Sequence, residues 1–133
     1  MSRKTIKQIA VFETGARRVY DALMDSQRHT EFTGDKAVID ARAGGSFSAY
    51  GDYITGKFME IEPGKRIVQR WRASDWPEDA WSTVTIEFQE KRGVTTVHFT
   101  QEDVPEEFAE EIAQGWHDFY WDRLRAYLEK NHK

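Results

Sequence analysis

Glu60 and Glu62 stand two residues apart in a segment of alternating polarity, so both carboxylates fall on one face of a strand. That spacing suits a general acid/base pair and equally a solvated strand edge, and no Ser/His/Asp or lysine constellation accompanies it. The four histidines, His29, His98, His117 and His132, show no metal-ligand spacing and read as surface residues. The chain has no cysteine, which excludes thiol catalysis, disulfides and thiolate metal sites. Gly44-Gly45 and Gly56 form no phosphate loop, because no helix follows them, and read as turn and strand-bend glycines. Side-chain chemistry thus assigns no catalytic residue, no metal ligand and no cofactor, and leaves binding as the function to be sought.

Aromatic rings are the chain's main apolar resource. Eight Phe, five Trp and five Tyr stand in a 133-residue sequence that is only 39% hydrophobic, so rings must supply much of the core bulk. For Trp71 and Trp116 both core filling and cavity lining are open. Trp76, before Pro77 in an acidic loop, either covers a pocket mouth or folds onto its own hairpin.

The charge balance of 19 Lys plus Arg against 23 Asp plus Glu, net −4, excludes the footprint of a general nucleic-acid binder. No apolar run approaches the ~18–20 residues of a membrane span. The N-terminus leads directly into a strand-like segment without a signal-peptide pattern, so the expected location is cytoplasmic.

The elements that must position these residues are read from periodicity. Residues 5–13 read as a first strand, residues 16–24 as an amphipathic helix, and residues 26–32 as a short helix capped by Ser26 and ended by Gly34. Six further strands follow at residues 37–41, 46–50, 54–61, 67–72, 84–90 and 94–100, joined by breaks short enough for an antiparallel meander. Pro105 stands at a first helical position before Glu106 and Glu107, and only Gly115 interrupts helical character from there to Asn131. The acidic stretch over residues 102–111 reads as the flank of this helix, or as a docking surface for a basic partner. Advancing about 100° per residue along the helix places Phe108, Phe119, Ile112, Arg123, Trp116, Tyr127, Tyr120 and Leu124 on one broad face. Arg123 falls in the middle of that arc. It must snorkel to water, bridge to a carboxylate such as Asp122 or Glu60, or anchor an anion inside a pocket.

This order predicts one α+β domain over residues 1–133, a curved antiparallel sheet of about seven strands gripping a long C-terminal helix, with a pocket between them. The residues expected to line the pocket are Phe47, Phe58, Trp71, Phe88, Trp116, Phe119, Tyr120 and Arg123.

The run Tyr53-Ile54-Thr55-Gly56-Lys57-Phe58-Met59-Glu60-Ile61-Glu62-Pro63-Gly64-Lys65-Arg66-Ile67-Val68 carries a family resemblance. With it go Trp71-Arg72, Trp76-Pro77, residues 84–88, Val104-Pro105, Gly115-Trp116 and Tyr120-Trp121 with Leu124. Together they resemble the domain at the C-terminus of the activator of the ninety-kilodalton heat-shock protein ATPase, an AHSA-type domain. That domain lies within the helix-grip superfamily of START, polyketide-cyclase and Bet v-type lipid-binding proteins. The resemblance implies the helix-grip fold and two kinds of function. One is uptake of a small hydrophobic or amphipathic molecule. The other is a chaperone-associated, stress-related role with the ninety-kilodalton heat-shock protein as partner. The eukaryotic co-chaperone it resembles makes its main stimulatory contact through an additional N-terminal domain, for which no residues are available here, so full chaperone activation is not expected. A cyclase or hydratase activity, also seen in the superfamily, needs a titratable group in the cavity, and only Arg123 or Glu60 is a candidate.

Overall fold

A computed structural model describes residues 2–130. The elements run β1 (Arg3–Phe12), α1 (Ala16–Met24), α2 (Ser26–Thr33), β2 (Val38–Ile39), β3 (Ser46–Ala49), β4 (Ile54–Glu62), β5 (Arg66–Ala73), β6 (Ser82–Lys91), β7 (Val94–Pro105), α3 (Glu106–Trp116), a π turn (His117–Trp121) and α4 (Asp122–Lys130). The seven strands form one antiparallel sheet in the order β1-β7-β6-β5-β4-β3-β2, curved around the C-terminal helix. This is the helix-grip α+β arrangement expected from the sequence. Among the described residues no helix is long and apolar enough to cross a membrane. Asn131 and His132 lie outside the described residues.

Local chemistry explains where the elements begin and end. Helix α1 has the expected bounds, with Val19, Tyr20, Leu23 and Met24 buried on one side. Gly34 ends α2 at φ +79, the left-handed conformation that glycine adopts without a Cβ penalty. The cap of α2 is Asp25 rather than Ser26: its carboxylate accepts from the Arg28 N–H at 2.9 Å. Ser26 Oγ instead accepts from the Ile39 N–H at 2.8 Å and ties α2 to the two-residue strand β2. Strand β7 runs past Thr100 to Pro105, because Lys4 and Arg3 of β1 pair with Val104 and Pro105. Pro105 is therefore the last strand residue before α3 and not its first helical residue. A bulge between Phe58 and Glu60 leaves Met59 58% exposed and puts Glu60 and Glu62 outward. Glu60 is paired with Arg66 at 3.0 Å, so the two carboxylates are a solvated edge.

Trp116 is the hub of the core. Its ring lies 4.5 Å from Phe99, 4.6 Å from Tyr120, 5.4 Å from Trp121 and 5.9 Å from Trp71. The indole N–H donates to Gln101 Oε1 at 2.8 Å, Gln101 Nε2 donates to Ser82 Oγ at 3.0 Å, and Ser82 Oγ donates to the Trp71 carbonyl at 2.8 Å. Gln101 and Ser82 are completely buried, so this chain satisfies polar groups that water cannot reach. In the same way Trp121 Nε1 donates to Gln8 Oε1, and Gln8 Nε2 donates to the Ala113 carbonyl, each at an edge of the helix.

The π turn corrects the helical wheel. An extra residue in one turn sets everything after it back by about 100°. Trp121, which a regular helix turns to solvent, is 1% exposed, and Phe119, which it turns inward, is 46% exposed. Arg123 moves out of the apolar arc to the exposed side of α4, while Leu124 and Leu128 remain buried. Replacing Trp121 by Ala is therefore expected to cost about 3–5 kcal/mol. Phe119→Ala is expected to cost about 1 kcal/mol or less, the range for partly exposed positions. Urea denaturation of the two variants checks this, and an uninterrupted α-helix would give the opposite order.

Candidate functional site

The short turn from β3 into β4 places two tyrosines over the helix. Tyr50 and Gly51 both have positive φ, 52 and 68, a pairing that reverses the chain tightly and that a non-glycine residue adopts only under constraint. The constraint is visible: Tyr50 Oη donates to the Phe119 carbonyl at 2.6 Å, and its ring packs on Phe119 and Tyr120. Asp118 and Phe119 belong to the π turn, where the regular ladder is interrupted. Their carbonyls accept from Arg123 Nε and Tyr50 Oη. On strand β4, Gly56 is obligatory, since a Cβ there would stand 1.8 Å from the Arg70 carbonyl and 2.6 Å from the Phe47 ring.

Between this turn and the helix lies a cleft of about 610 Å³. Ile112, Gly115 and Trp116 of α3 and Phe119 and Tyr120 of the π turn form one wall. Tyr50, Tyr53, Ile54 and Trp71 form the other, and Asp35, Asp75 and Glu111 complete the lining. A volume of this size lies within the ~300–1,000 Å³ range of small-molecule sites. Behind it a void of about 30 Å³ is lined by Phe47, Phe58, Trp71, Trp116 and Tyr120 among others.

The phenols of the cleft are donors. Burial pushes Tyr53 up to about 12, helped by the charge of Asp75, its hydrogen bond to Asp75 Oδ1 at 3.2 Å and the charge of Glu111. Burial likewise pushes Tyr50 up to about 12, with Asp35 raising it further and Arg123 opposing. Tyr120 is raised by burial and then by Tyr50. All three keep their protons at neutral pH and offer no base.

Of the eight residues chosen from the sequence, Trp71, Trp116, Phe119 and Tyr120 line the cleft. Phe47 and Phe58 line the void behind it, with ring centroids 5.0 Å apart. Phe88 packs edge-on against Tyr20, away from both. Arg123 borders a shallow hollow beside Glu31, Tyr127 and Lys130 rather than the cleft. Its guanidinium donates to the Thr33 carbonyl at 2.6 Å and lies over Phe119, and it pairs with neither Asp122 nor Glu60. Trp76 folds onto its own hairpin, buried between Trp71 and Phe108, and Arg72 holds its loop through the Trp76 and Pro77 carbonyls.

Sequence reasoning missed His29, which is buried rather than on the surface. Nδ1 donates to the Leu23 carbonyl at 3.0 Å, which leaves Nε2 to accept from Tyr120 Oη at 3.0 Å. Phe32 and Thr33, three and four residues on and both buried, are the pattern that marks the inner face of α2.

The sequence profile described as "Activator of Hsp90 ATPase homolog 1-like protein" matches residues 13–129. The chain is similar to the activator of 90 kDa heat shock protein ATPase homolog 1 of Homo sapiens, 29% identical over 121 residues, covering 91% of this chain and 35% of that protein. It is similar also to the homolog of Dictyostelium discoideum, 31% identical over 123 residues, covering 92% of this chain and 32% of that protein. The chain thus spans about a third of the length of these curated relatives. Among solved structures, an HSP90 activator from Plasmodium falciparum superposes with a TM-score of 0.88 at 26% identity, covering 94% of this chain and 96% of that one.

Burial depresses the His29 imidazole below its ordinary 6.5, against the opposing bond to Leu23. The unfolded chain therefore binds this proton more readily than the folded one. The stability from neutral His29 is complete above 6.5 and is lost as pH falls below it. Thermal melting of the wild type is expected to drop on acidification below that value. His29→Gln, which can still reach both partners without titrating, is expected to flatten the drop, and parallel acid losses in both proteins would exclude His29 as the source.

Proposed function

Because the chain belongs to the Activator of Hsp90 ATPase homolog 1-like family, we propose that it is a binding module that takes a small amphipathic molecule into the cleft between its sheet and its C-terminal helix. One observation carries this reading: the cleft of about 610 Å³, walled by six aromatic rings and two isoleucines and edged by a few polar groups. A concave apolar surface with sparse, directed polar groups is what ligand sites share. In this reading Trp71, Trp116, Phe119 and Tyr120 contact the ligand, and Phe47 and Phe58 back the wall. Arg123 braces the π turn from outside.

Gly115 gives the test. It lines the cleft, and a Cβ built there meets nothing closer than Phe119 Cδ2 at 3.8 Å, an ordinary contact. Gly115→Leu is expected to fill the cleft and abolish uptake of a neutral apolar dye such as Nile red, while the melting temperature holds or rises because a mid-helix glycine is removed. Undiminished dye uptake by a folded Gly115→Leu variant would overturn the reading.

A second reading is favoured by the relatives: association with the ninety-kilodalton heat-shock chaperone, the protein named in the descriptions of the human, Dictyostelium and Plasmodium counterparts. Such a partner implies a cytoplasmic location. The chain is expected to bind its host's chaperone homologue weakly, to lose that binding as salt rises above ~0.15 M, and to stimulate its ATPase little. Sedimentation and ATPase assays at two salt concentrations check this, and absence of binding at low salt would remove the second reading.

A further inference from the structure

The three carboxylates of the cleft have no counterpart of opposite sign. Asp35, Asp75 and Glu111 are the charged residues in its lining, and no Lys, Arg or His joins them there. Each makes no ion pair among the described residues, whose salt bridges all lie elsewhere on the surface. Arg123, whose charge reaches Tyr50, is committed to the Thr33 and Asp118 carbonyls and to the ring of Phe119. The remaining polar groups of the lining are phenols. Tyr53 Oη donates to Asp75 and Tyr50 Oη donates to Phe119, so both already spend their protons on protein acceptors.

The walls carry the same sign. Trp71, Trp116, Tyr50, Tyr53, Phe119 and Tyr120 present aromatic rings, whose faces are negative and attract cations within about 6 Å. Asp75 and Glu111 approach from opposite walls, one on the loop after β5 and one on α3, and the charges of both raise the phenol of Tyr53. Their fields therefore overlap at one end of the cleft. An anionic head group entering here would meet carboxylates and phenols whose protons are already engaged.

Resting on the proposed ligand cleft, we infer that its ligand is a cationic amphiphile: an organic ammonium group held between Asp75, Glu111 and the ring faces, on an apolar body that lies along Trp71 and Trp116. This reverses the polarity expected when Arg123 is taken as an anion anchor, because the π turn carries that guanidinium away from the cleft.

The test uses three twelve-carbon probes below their micellar concentrations: dodecyltrimethylammonium, dodecyl sulfate and neutral dodecyl maltoside. Quenching of tryptophan fluorescence reports binding, since Trp71 and Trp116 line the cleft. The ammonium probe is expected to bind about tenfold or more tightly than the sulfate, the effect of one charge-assisted contact. The double substitution Asp75→Asn with Glu111→Gln is expected to reduce that preference to about twofold or less. Equal or tighter binding of the sulfate or the maltoside overturns the cationic assignment and leaves the cleft in place. Binding of none of the three overturns the cleft reading itself. Ammonium binding that survives in Gly115→Leu is surface adsorption and overturns the assignment as well.

Discussion

The hydrogen bond from the Trp116 indole to Gln101 sets the distance and the rotation of the C-terminal helix on the sheet. A tryptophan placed at the centre of a core brings a donor that water cannot satisfy, and leaving it unpaired costs about 1–3 kcal/mol. Gln101 answers with its carbonyl oxygen, and its amide passes the requirement to Ser82 and so to the backbone of β5. Three neighbouring strands and α3 are thereby held in one geometry, because sliding the helix would break the chain at several points. The Trp121–Gln8–Ala113 bonds repeat the device at β1. These anchors hold α3 against β7, β6 and β5, while the β3–β4 turn meets the π turn through Tyr50, and the cleft lies between.

Much of the rest follows from the single extra residue in the π turn. It brings Trp121 to the interior beside Trp116, turns Phe119 to the cleft's edge, and frees carbonyls that Tyr50 and Arg123 use. Tyr50 can hold its positive φ because that carbonyl is available. The strained turn and the helix irregularity therefore stabilise each other, and together they bound one end of the site.

The sequence carries the fold where signals are local and repeated. The three- and four-residue spacing of Val19, Tyr20, Leu23 and Met24 marks α1, Gly34 marks the end of α2, and the alternating strands between glycine- and proline-rich breaks mark the meander. The π turn carries no such signal. His117 to Trp121 is an ordinary helical string, and only tertiary demand, two indoles needing the same interior, selects the extra residue. For that reason the helix members Trp116 and Tyr120 were legible as cleft residues, and the environment of Arg123 was not. Tyr53, Asp35, Asp75 and Glu111 come from loops and surface positions whose convergence depends on the curvature of the sheet, which periodicity does not encode.

The pairing of the first strand with the last has a consequence for assembly. Arg3 to Phe12 lie against Pro105 to Thr95, so β1 has no sheet partner until β7 has been synthesised. Until then its inward residues Ile6, Ala10 and Phe12, all buried in the finished core, lack the strand that pairs with theirs. Contacts of such long sequence separation slow folding, because chain entropy is lost before they form. Closure of β1 on β7, locked by Gln8 reaching Trp121 and Ala113, completes the sheet.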